Sequence, residues 1–169
     1  SASVQPASIR VQIAAYRYIK YAASSCNAQI VLVDLGPNLG ALNRTILGGC
    51  DYFITPLSPD LFSIKGTQNL GNKFVIWHDE WENNLRKWMR PNSGIPNDDL
   101  PKGLPKFLGY VTQQHNIRNS KSGMTRGWNI FGSQLENAVK ENIITPLLPL
   151  DQCENRTDYL LGQIPNLHS

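Results

Sequence analysis

The stretch IVLVDLGPNLGALNRTIL, Ile30–Leu47, decides how this chain reads. Four apolar residues, three of them β-branched, lead into Asp34. A Gly36-Pro37-Asn38 turn follows, and then residues at helical spacing. A run that is apolar on both faces predicts a central strand of a parallel sheet, here residues 28–33. The next element is expected as a short helix over residues 39–47, with Asn38 as its N-cap and Gly48-Gly49 as its stop. In an open parallel sheet, ligands sit beyond the carboxyl ends of the strands. A carboxylate placed there suits a Mg²⁺ ion, held directly or through water, beside a phosphate. Gly36 lets the backbone come close to such a phosphate, Pro37 stiffens the turn, and the start of the following helix adds the positive end of its dipole. These are the parts of a phosphate-sensing switch. The same aspartate also fits a plain role as a helix cap or turn residue.

Outward from this stretch, the pattern alternates. Residues 7–25 have helical spacing, with Ile9, Ile13 and Tyr16 on one face and Arg10 and Arg17 on another. Asp51–Thr55 reads as a second strand, ended by Pro56. Ser58-Pro59-Asp60 then opens a long helix, with Ser58 as cap and Pro59 in its first position, running to about Met89. Residues 91–105 hold four prolines and two glycines and read as a loop. Residues 106–112 read as a third strand, 113–126 as a polar loop, 128–142 as an amphipathic helix, and 159–164 as a fourth strand stopped by Pro165. The expectation is one α/β domain over residues 1–169, a parallel sheet with helices on both faces.

Composition is consistent with this. The chain has 169 residues, 41% hydrophobic and 17% charged, enough for a real core. A net charge of +3 is mildly basic and short of the dense basic stripe of a dedicated nucleic-acid binder. Cys26, Cys50 and Cys153 are scattered, so neither a zinc cluster nor a disulfide framework is indicated, and reduced thiols in a cytoplasm are expected. No run approaches the roughly 20 apolar residues of a membrane helix. The N-terminus lacks both an initiator Met and a signal peptide, and reads as the middle of a longer chain.

The segment IVLVDLGPNLGALNRTIL, followed by DYFITPLSPDLFSIKGTQNLG, resembles the central stretch of the ParA/MinD-type partition ATPases, P-loop NTPases with a deviant phosphate loop. In that family an apolar strand ends in Asp-x-x-Pro, matched here by Asp34 and Pro37. A later strand leads to a Pro-x-x-x-Asp/Glu-x-Phe/Tyr-Ser/Ala-x-x-Gly segment, matched by Pro56, Asp60, Phe62, Ser63 and Gly66. FLGYVTQQHNIRNS and YLLGQIPNLHS resemble the family's later strands, so the likeness spans nearly the whole chain.

The resemblance implies that Asp34 positions Mg²⁺ and its waters, and is the residue of catalytic importance. It implies that Gly36, Pro37 and Asn38 face the γ-phosphate, while Gln113, Pro165 and Asn166 border the base. It also implies ATP-driven homodimerisation, an adaptor protein, and DNA binding without sequence preference, for which Arg118, Lys121 and Arg126 are the candidate contacts. The family's phosphate loop is absent: no Gly-x-x-x-x-Gly-Lys-Ser/Thr occurs in this sequence, and Ser120-Lys121-Ser122-Gly123 has no glycines ahead of its lysine. The expectation is therefore the central and C-terminal part of such an ATPase, without the first strand and the phosphate loop. In isolation it should bind Mg-ATP weakly or not at all. A non-catalytic docking or dimerisation module on the same fold is the alternative, and a related ATPase that positions membrane-division or cell-surface machinery is a third.

Three further features have simpler readings. Phe74, Trp77, Trp81, Leu85 and Trp88 recur at helical spacing, first as a core-facing stripe and second as a partner face. Arg86, Lys87 and Arg90 suit the C-terminal end of a helix dipole. His78, His115 and His168 are isolated from any partner that would suggest a triad or metal site.

Overall fold

The computed structural model describes residues 10–36, 40–88, 96–115 and 126–165. The chain divides into two compact units: Ser1–Asp51 with His78–Pro105, and Tyr52–Trp77 with Lys106–Ser169.

In the first unit, helix α1 spans Ala14–Ser25. Its end lies at Asn27. Asn27 takes the left-handed conformation at φ 52°, Ala28 N–H reaches back to Ala23 O at 2.9 Å, and Asn27 N–H to Ser24 O at 3.2 Å. Helix α2 spans Ala41–Gly49. Gly40 is its N-cap, where Asn38 was expected to serve; Asn38 itself lies outside the described residues. Ile13, Leu100, Pro101 and Pro105 form the buried centre. Arg17–Asp99 at 3.0 Å and Lys102–Asp51 at 2.9 Å bind the rim, and Lys20 donates to the Asp98 carbonyl. Such exposed pairs contribute about 0–1 kcal/mol each. The proline-rich loop contains one 3₁₀ turn, Asn97–Asp99.

The second unit is a parallel α/β layer. Strand β1 spans Tyr52–Leu57, β2 Lys106–His115 and β3 Leu160–Pro165, in the order β1-β2-β3 with both pairings parallel. Helix α3, Leu61–Trp88, connects β1 to β2 and continues into the first unit. Helix α4, Arg126–Val139, precedes β3, passing through a π turn at Lys140–Ile144. β2 runs to His115, so Gln113 lies within it rather than after it. Pro165 is the last residue of β3 rather than the breaker beyond it.

The start of α3 also differs from its expected form. Asp60, not Ser58, caps it: Ser63 N–H donates to Asp60 Oδ1 at 2.7 Å, and Ser58 N–H donates to Ser63 Oγ at 3.0 Å. Asp60 thus caps the helix through Ser63 N–H, while Ser63 Oγ accepts from Ser58 N–H, two residues before the cap, rather than closing a reciprocal capping box.

The core of this unit is aromatic. Phe53 meets Phe74 at 4.8 Å and Phe107 at 5.0 Å, and Phe107 stacks on Tyr159 at 5.7 Å. Phe74 and Trp77 are buried, so that part of the aromatic stripe is core. Gly109, at φ +143°, sits at the register break of β2; a Cβ there would lie 2.3 Å from Tyr159 O.

Two expectations are corrected. Residues 28–33 form no strand: Ile30 is 80% and Leu32 92% exposed. A strand is held by hydrogen bonds to a neighbour, and among the described residues this run pairs with none, so its apolar character alone does not make it one. Among the described residues, the three-stranded sheet is also not covered on both faces. Phe53 and Phe107 face α3, while Tyr52, Ile54 and Leu161 on the same sheet remain about half exposed. Consecutive strand order explains this, since crossovers of one hand place successive helices on the same side.

The π turn brings Asn142 against α3. Its side-chain amide donates to Thr67 Oγ at 3.2 Å, and its carbonyl oxygen lies where a Cβ on Gly71 would approach within 1.6 Å. Gly71→Ala should therefore destabilise the fold by ~3 kcal/mol, because the obstacle is backbone rather than a movable side chain. A urea midpoint lowered at unchanged slope is the expected result.

Tyr110, buried on β2, has its phenol pushed up to about 12, first by burial and then by the charges of Glu136 and Asp158. Its unfolded-state value is about 10. The folded form thus favours the neutral phenol, so this contribution is complete below about pH 10 and is lost as pH rises towards about 12. Urea midpoints measured across that window should fall, and Tyr110→Phe should fall less steeply.

Candidate functional site

The residues singled out in the sequence divide between the two units. Asp34 and Gly36 belong to the first. The run from Ala28 to Leu35 follows α1 without regular secondary structure, and Asp34 stands exposed near its end. Gly36 is open: a Cβ built on it meets nothing within 4 Å, and its carbonyl accepts from Asn43 Nδ2 of α2 at 3.3 Å. The carboxylate and the glycine backbone are thus both approachable by a ligand. Asp34 is within reach of water, a metal or a phosphate-bound ion without any side chain having to move. Pro37 and Asn38 lie outside the described residues.

Gln113 and Pro165 belong to the second unit and lie near the carboxyl ends of adjacent strands. The register runs Thr112 opposite Gln163 and His115 opposite Pro165. This is the edge at which parallel sheets receive ligands. Asn166, Gln114's side chain, Arg118 and Lys121 are outside the described residues. Arg126 is the first residue of α4, and its side chain is likewise outside them.

Thr112 was missed by the sequence reading. It is 5% exposed, in register with Leu57 and Gln163, and its hydroxyl makes no hydrogen bond. A threonine in an apolar strand gives no warning that its hydroxyl will be buried without a partner.

Cys50 and Cys153 are not activated. Burial pushes the thiols of Cys50 and Cys153 up, with Asp51 adding to the effect at Cys50, so both stay protonated near neutrality. His78 Nδ1 lies 3.6 Å from Asp79 Oδ1, with no nucleophile described beside it. Among the described residues, no three His, Cys, Asp or Glu side chains converge to hold a metal. Asp34 therefore offers a single carboxylate, and any ion there draws its remaining ligands from phosphate, water or groups outside the described residues. Also among these residues, no helix is long and apolar enough to cross a membrane.

No protein-family model matches the chain, and no curated protein matches it. Among solved structures, the chain is similar to protein DIP2308 from Corynebacterium diphtheriae, at 25% sequence identity and a TM-score of 0.62. The match covers 88% of this chain and 48% of that one, so this chain spans about half the length of its structural neighbour.

Proposed function

We propose that this chain is the central and C-terminal part of a cytoplasmic ParA-like ATPase with a P-loop NTPase fold. In the whole protein, Mg-ATP binding and hydrolysis would switch dimerisation and the binding of DNA and an adaptor during plasmid or chromosome partition. The observation that carries this reading is the pairing of an accessible Asp34 with an apolar run, Ile30–Val33, that has a strand's composition and no strand beside it among the described residues. A phosphate loop and its strand, contributed from outside this chain, would supply both missing neighbours. Two more features support the reading. Tyr52–Leu57 passes through Ser58-Pro59-Asp60 into a 28-residue helix, and the sheet is wholly parallel.

In such a protein Asp34 would position Mg²⁺ and its waters, and Gly36 would lie at the terminal phosphate. The resemblance would add Pro37 and Asn38 at the phosphate and Gln113, Pro165 and Asn166 at the base. Mg²⁺, when bound, supplies the positive charge that offsets the phosphates. The absence of a phosphate-loop motif from this sequence favours a second reading, a non-catalytic docking or dimerisation module on the same fold.

The gene upstream of the Ser1 codon separates the two. A glycine-rich loop with two lysines, preceded by an apolar run, is the expected finding. In the protein carrying it, ATP should convert monomer to dimer by light scattering. Asp34→Ala should lower ATP turnover on the order of 100-fold, the scale set by losing one preorganised electrostatic contact. A start codon close by with no such loop, or a mass that ATP leaves unchanged, would remove the ATPase reading.

A further inference from the structure

Among the described residues, the chain holds a strand edge without a neighbour and an apolar run without a sheet. In the order β1-β2-β3, β1 is an outer strand, and none of those residues pairs with its outer side. Pro56 has no N–H, and an edge strand accommodates a proline with that side turned outward. Alternation along the strand then turns the backbone N–H and C=O of Tyr52 and Ile54 outward as well. Their side chains are 55% and 49% exposed on the uncovered face. Sheet edges are ordinarily blunted by charge, by proline or by a covering element. β1 carries no charged residue, and Asp51 ahead of it is engaged by Lys102 at 2.9 Å, so Pro56 near its far end is the one breaker within it.

The run Ile30–Val33 is the complement. Ile30 is 80% and Leu32 92% exposed, while Val31 between them is 47% exposed and Val33 half-buried. Exposure is thus greatest at every second residue, as it is at Tyr52 and Ile54. Ile30, Val31 and Val33 are β-branched, the type that fits a pleated surface. Charge selects the direction of pairing. Laid parallel, the run sets Ile30 and Leu32 beside Tyr52 and Ile54, and Asp34 passes beyond Ile54 to Pro56. Laid antiparallel, it brings Asp34 to the Asp51 end of β1, where like charges repel. Parallel is also the direction of both existing pairings.

We infer that two copies of this chain associate reciprocally, the Ile30–Val33 run of each adding a parallel strand to the Tyr52–Leu57 edge of the other. A contact repeated across a two-fold axis closes the assembly at a dimer. It needs no nucleotide, so it goes beyond the nucleotide-driven pairing proposed above, and either can fail without the other. A strand supplied from outside this chain would compete for the same edge.

Sedimentation velocity on the full chain, without nucleotide, tests it. A concentration-dependent shift from 18.9 kDa to twice that mass is expected. Leu32→Lys and Ile54→Glu each place a charge at an exposed position, so far-UV circular dichroism should be unchanged. Each alone should weaken the dimer about tenfold or more. An equimolar mixture of the two should associate more tightly than either, because one contact is then intact and the other sets Lys beside Glu. Monomer at every concentration, growth past the dimer, no effect at either position, or a mixture no tighter than its components would overturn the reciprocal contact.

Discussion

Phe107 is the residue on which the parallel sheet depends. Its ring lies 5.0 Å from Phe53 on β1 and stacks at 5.7 Å on Tyr159, next to β3. Its backbone N–H donates to Gln152 O at 2.7 Å, and it bridges in parallel to Cys153. A parallel sheet has no hairpins, so each strand meets its neighbour only after a long helical excursion. Something on the middle strand must therefore recognise both neighbours, and apolar contact from one ring does so without directional demands. Tyr159 is fixed in turn, its hydroxyl donating to the Glu154 carbonyl and the Arg156 guanidinium lying 4.8 Å from its ring.

Much of this architecture is legible in the sequence because it rests on local signals. The apolar runs at Asp51–Thr55 and Lys106–Thr112 fall in strands, although β1 runs on through Pro56 to Leu57, the Ser58-Pro59-Asp60 turn opens a helix, and Asn27 closes α1. What is not legible depends on neighbours. Ile30–Val33 has a strand's composition, yet pairing is a property of two segments and the sequence shows one. Gly48-Gly49 reads as a simple helix stop, whereas its use is a close approach to Tyr16 and Gly103 that no spacing announces. The coverage of the sheet failed for a topological reason: alternation of strand and helix gives the class but not the strand order, and order sets which face each helix takes.

The candidate site has the same division. Asp34 and Gly36 stand out from their position after an apolar run, and both are exposed. Gln113 and Pro165 were placed beyond their strands and lie inside them, but still at the carboxyl edge, because a strand's end is less sharply encoded than its centre. Thr112 was invisible, since nothing in a strand's alternation says which hydroxyl will be left without a partner.

The π turn at Lys140–Ile144 changes the phase of everything after it. Thr145 closes it by sending both its backbone N–H and its hydroxyl to Lys140 O. Up to Val139 the buried positions Leu135, Ala138 and Val139 keep helical spacing; past the turn they resume at Ile143, Ile144 and Leu147. An uninterrupted α-helix would have delivered Asn142 and Pro146 to that face, about 100° away in rotation per residue. One extra residue in the helical count thus keeps the apolar seam continuous across a sequence that is out of step with it. A segment that takes up a residue in this way can absorb a change of length near its end without disturbing the strand that follows.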